Sequence, residues 1–84
     1  MREKDLIDLI RAFDAFERLN DLVKELTNGC TIENRRFLEL YYIADVIRRN
    51  CRYSADEDET CRIFWDIMYD KAITPEEKYE MIKA

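Results

Sequence analysis

Few side chains in this sequence could do chemistry, and each has a competing reason for its position. There is no histidine among the 84 residues, so the commonest general base and metal ligand is missing. The single serine, Ser54, is followed three positions later by Glu57, the spacing of a helix capping box. One glycine cannot build a phosphate-binding loop. That leaves Cys30, Cys51 and Cys61. The first precedes a predicted helix and the second ends it, about 30 Å away. Cys61 could approach Cys51 across a helical hairpin. The chain therefore offers at most a thiol pair and never a three- or four-thiolate zinc site. The cysteines read first as small apolar packing residues, with a Cys51–Cys61 redox pair as the alternative. No metal, cofactor or enzymatic activity is expected.

The charged residues suggest surfaces more than reaction centres. The run Asp56, Glu57, Asp58, Glu59 suits the positive end of a helix dipole. Asp66 and Asp70 stand four apart and share one exposed helix face with Glu59 and Arg62. That face is either solvated or an acidic docking surface for a basic partner. Arg35 and Arg36 open the second predicted helix, while Arg48, Arg49 and Arg52 close it. A helix-turn-helix reading would make residues 28–31 the turn and 31–42 the recognition helix. Recognition helices present polar groups to base edges, whereas this one carries Phe37, Leu38, Leu40, Tyr41 and Tyr42. The formal charge of −5 also disfavours a phosphate backbone or an anionic lipid surface.

Four helices must position these groups, about 4–27, 32–51, 55–71 and 75–83. They form one all-α domain over 1–84, predicted as an up-down-up bundle with the fourth helix folded against one end. The first helix stops at Asn28-Gly29. Its apolar residues recur mostly in threes, so the stripe winds: Leu6, Ile10 and Phe13 face one way, and Leu19, Val23 and Leu26 another. Thr31 caps the second helix. Phe37, Leu40, Tyr41, Ala44, Ile47 and Cys51 form its main face. Leu38, Tyr42 and Val46 form a second, nearly opposite face, which is either buried in a central helix or left for a partner. The third helix presents Cys61, Phe64, Trp65, Met68 and Ala72, flanked by Ile63 and Ile67. In Thr74-Pro75-Glu76-Glu77, threonine is the cap, proline takes the first helical position, and Glu77 closes a capping box. Only Tyr79, Met81 and Ile82 remain to pack this last helix, which is expected to fray.

Charge is unevenly spread. Residues 30–53 carry five basic against three acidic side chains, and residues 54–84 carry four against nine. Apolar residues make up 48% of the chain, enough for a core, but no run reaches the roughly 18 needed to span a membrane. An odd number of cysteines and an acid-rich amino terminus point to a reducing cytoplasm. By elimination, the expected function is that of a small protein-binding module, a stoichiometric regulator or inhibitor docking on a larger protein. Leu38, Tyr42, Val46, Arg48, Arg49, Asp66 and Asp70 are its candidate partner-binding residues. Phage-encoded inhibitors such as anti-CRISPR or anti-sigma proteins share its size and acidity. The alternative is a structural homo-oligomer closed through the second-helix apolar face and the winding stripe of the first.

Overall fold

The computed structural model describes residues 1–29, 34–55 and 61–84, with the side chains of 34–38 outside that description. Among these residues the chain forms four helices and no strand: α1 (Glu3–Leu26), α2 (Asn34–Arg49), α3 (Arg62–Tyr69) and α4 (Pro75–Ile82).

Helix α1 spans about 36 Å at 1.5 Å per residue, close to the 40 Å long dimension of the molecule, and α2, α3 and α4 all pack on it. It ends where the sequence predicts. Asn28 takes φ 55° and Gly29 φ 102°, and the Gly29 N–H reaches back to the Lys24 carbonyl at 2.8 Å. That six-residue closure satisfies a carbonyl the helix itself leaves open.

The core joins Leu6, Ile10 and Phe13 of α1 to Leu40, Ala44, Ile47 and Cys51 of the α2 segment. Phe64, Ile67 and Met68 of α3 and Ile82 of α4 complete it. The winding of the α1 stripe is visible in this list. Its amino-terminal apolar residues are inside, while Leu19, Leu22 and Leu26 are exposed.

The third helix is shorter than the predicted 55–71. Ser54 and Ala55 lie in a turn after α2, and Asp56, Glu57, Asp58 and Glu59 fall outside the described residues. Cys61 is not in the second helical turn but at the cap position of α3. The segment before it is held elsewhere: the Arg52 N–H donates to the Ile82 carbonyl at 2.8 Å, and the Ser54 N–H to that of Cys51 at 3.1 Å. At the other end the Asp70 carboxylate accepts the Ala72 N–H at 2.9 Å. This local turn competes with helix propagation and wins. Ala72, predicted to be core, is therefore exposed beyond the helix. Helix α2 likewise stops at Arg49, before the predicted 51, as Asn50 and Cys51 turn back onto the carbonyls three residues earlier. The Thr31 cap lies outside the described residues.

Helix α4 begins as predicted. Thr74 Oγ1 accepts the Glu77 N–H at 3.1 Å, and the Glu77 carboxylate accepts the Thr74 N–H at 3.3 Å. A residue the sequence did not single out anchors the helix against the core. Lys78 is fully buried. Its Nζ donates to the Met68 carbonyl at 2.7 Å and to Asp14 Oδ1 at 3.3 Å. Asp14 also accepts from Arg18 Nε at 2.9 Å, and Arg18 donates to the Lys71 carbonyl at 3.3 Å. Arg11 pairs with Glu76, and Asp21 with Lys71. Residues 11, 14, 18 and 21 thus form a polar stripe along α1 that receives the segment from Lys71 to Lys78.

Candidate functional site

The predicted partner-binding residues divide between two features. On the outer side of α2, Tyr42 is 71% exposed and Val46 half-buried; the Leu38 side chain lies outside the description. The alternative of Tyr42 as a core residue is thereby excluded. Arg49 is exposed and Arg48 largely covered, and Asp45 holds both, at 3.0 Å and 3.2 Å. Arg52 lies with its guanidinium 5.8 Å from the Tyr53 ring centre. The described arginines at this end of α2 are thus engaged within the chain, not presented as an open basic patch. Asp66 and Asp70 belong to the second feature. They edge a shallow groove of about 280 Å³ between α3 and α4, floored by Ile63, Ile67, Ile73 and Met81.

A third feature was not singled out from the sequence. Trp65 stacks on Tyr69, with ring centres 5.7 Å apart and planes 22° apart, and meets Tyr41 edge-on at 6.0 Å. The array is rooted in the core through Phe64 against Trp65 and Phe13 against Tyr69, both at 5.4 Å. Its outer rings stay accessible: Tyr41 is 53% and Tyr69 40% exposed. Partial burial, then the charges of Glu17 and Tyr41, push the Tyr69 hydroxyl up to about 12. Glu17 of α1 therefore borders the array with a carboxylate. The sequence places Tyr41 on the α2 core face, but in the structure it is exposed. It lies about 100° around the helix from Leu40, at the rim of that face. The i, i+4 spacing of Trp65 and Tyr69 was the available signal, weak without knowledge of which α3 face is inside.

Two buried groups complete the inventory. Cys51 is a buried thiol with Sγ 3.2 Å from the Arg48 carbonyl oxygen, and Cys61 is a half-buried thiol. Neither forms a disulfide in this structure, and Cys30 lies outside the described residues. Asn20 is buried on α1, and its side-chain oxygen has no hydrogen-bond partner.

No protein-family model matches the chain, and neither a curated protein nor a solved structure matches it. Among the described residues no helix is long and apolar enough to cross a membrane, and no three acidic or thiol side chains converge as a metal site.

Proposed function

We propose that this protein is a non-catalytic binding module, a stoichiometric regulator or inhibitor that docks on a larger protein through the Tyr41–Trp65–Tyr69 array. The carrying observation is a contiguous run of three large aromatic rings anchored in the core, in which Tyr41 and Tyr69 are exposed and Trp65 is partly buried between them. Rigid rings with a polar tip lose little conformational freedom on binding and tolerate both wet and dry surroundings, which is why such residues dominate binding energy at interfaces. The outer side of α2, with Tyr42, Val46 and Arg49, continues from Tyr41 and would form the rim. Asp66 and Asp70, around α3 from the array, would contribute acidic contacts to a basic partner. On this reading the helices form an up-down-up bundle and the protein works in the cytoplasm, where an odd number of cysteines is tolerated. Quantitative affinity capture from the native host, comparing the wild type with Tyr41→Glu and Tyr69→Glu, tests it. One protein should be retained at constant stoichiometry by the wild type and lost by both variants. Equal retention by all three would overturn the array as the docking surface.

A further inference from the structure

The second half of α1 carries leucines that its own core does not use. Leu19 and Leu22 are each 49% exposed and Leu26 73%. With the exposed Ala12 and Ala15, they lie on the side of α1 opposite Leu6, Ile10 and Phe13. Their spacing is three, four, three and four residues, the a/d seam of two heptads. Contiguous exposed apolar strips of this kind mark interaction sites. This one is well separated from Glu17 and the aromatic array, so the inference does not depend on the docking proposal above.

We infer that the seam pairs with the same seam of a second copy of this chain, antiparallel about a two-fold axis beside Leu19. Two properties of the seam select that occupant. The first is its taper: alanine at the amino-terminal end, leucine at the carboxyl end. Antiparallel pairing lays the alanine end of each seam beside the leucine end of the other, so small residues meet large ones, with Leu19 of both copies near the axis. A parallel pair would stack alanine on alanine and leave those layers thin. The second is the flanks. Arg11 and Glu25 occupy equivalent positions on one flank, and Phe16 and Val23 on the other. Antiparallel pairing brings Arg11, which within its own chain also pairs with Asp8 and Glu76, to Glu25 of the second copy, and Phe16 to Val23, charged side chain facing charged and apolar facing apolar. Parallel pairing would set Arg11 and Arg18 against Phe16 and Val23 instead. Near the axis Arg18 approaches its counterpart, each held by its own Asp14 at 2.9 Å. The next seam position upstream, Asp8, is a carboxylate, and in this register it lies beyond the end of the second copy's α1. The apolar strip stops where its partner stops. Such an isologous contact closes at two subunits.

Sedimentation equilibrium of the full chain from low micromolar to millimolar concentration should show a monomer–dimer equilibrium. Leu19→Glu and Leu22→Glu should each weaken it about tenfold or more, since each removes a buried leucine from both copies. Because both side chains are half-exposed in the monomer, the variants should keep the wild-type circular dichroism. Under mild oxidation Leu19→Cys should link to itself, identified by mass spectrometry of the joined peptide. Leu26→Cys should not, its two copies lying about 21 Å apart along the axis, yet it should link to Ala12→Cys in a mixed sample. A chain monomeric throughout, a dimer indifferent to both glutamates, or self-linking of Leu26→Cys as in a parallel pair would each overturn the inference.

Discussion

Lys78 holds its ammonium where the molecule excludes water, with side-chain exposure of only 1%. Such a charge is tolerated because the Met68 carbonyl and the Asp14 carboxylate take its hydrogens. Breaking a pair of this kind by removing one member costs roughly 3–5 kcal/mol. Lys78→Met should lose about that much stability by urea denaturation, and adding Asp14→Asn should cost far less than in the wild type, because the two groups act together. Burial works against ionisation of Asp14, but Arg18 and Lys78 outweigh it and hold the carboxyl below its ordinary value. The unfolded chain then takes up the proton first as pH falls. This contribution to stability is complete above the unfolded carboxylate value of about 3.9 and is lost as pH falls below it. Asp14→Asn should flatten that acid limb of the stability curve. Tyr69 has the opposite sign. Its hydroxyl sits at about 12, so its contribution is complete below the ordinary tyrosine value of about 10 and disappears as pH rises toward 12. An ultraviolet absorbance titration should show a late phenol that is absent in Tyr69→Phe. Asn20 keeps a buried oxygen without a donor, a penalty of about 1–3 kcal/mol. Asn20→Leu should therefore raise the urea midpoint; a lowered midpoint would show that the amide is satisfied in solution.

At the scale of the helices, two local signals are legible as sequence and stand in the structure: the stop at Asn28-Gly29 and the capping box of Thr74 and Glu77. Thr74→Ala should cost about 1 kcal/mol by thermal or urea unfolding. Gly29→Ala should cost a similar amount, since φ of 102° strains any side-chain-bearing residue although space around the position is open. What could not be read was tertiary. The apolar spacing from Cys61 to Ala72 suits a longer α3, but Asp70 diverts the backbone into a turn. The stripe of Arg11, Asp14, Arg18 and Asp21 looks like an ordinary solvated face until the segment from Lys71 to Lys78 is laid on it. A lysine in a short polar helix gives no sign of burial, because its burial depends on an aspartate 64 residues away. The aromatic array was missed for the same reason. Tyr41 and Trp65 come from different helices, and nothing local reveals that they meet.

The whole molecule separates its surfaces by chemistry. Ion pairs seal α4 against α1, the outer back of α1 presents a leucine seam, and half-exposed rings cross from α2 to α3. The first holds the fold, and the other two are the surfaces proposed above to meet other chains. A dimer closed through α1 would carry two copies of the array on one particle, so a partner with paired sites would be bound with added avidity. The net charge of −5 suits a basic partner, whose association should slow as salt rises. The most direct test of the central claim is capture from the native host with wild type, Tyr41→Glu and Tyr69→Glu, each checked for unchanged circular dichroism. The account predicts one stoichiometric protein partner retained by the wild type and lost by both variants. Undiminished retention by the two folded variants would contradict it.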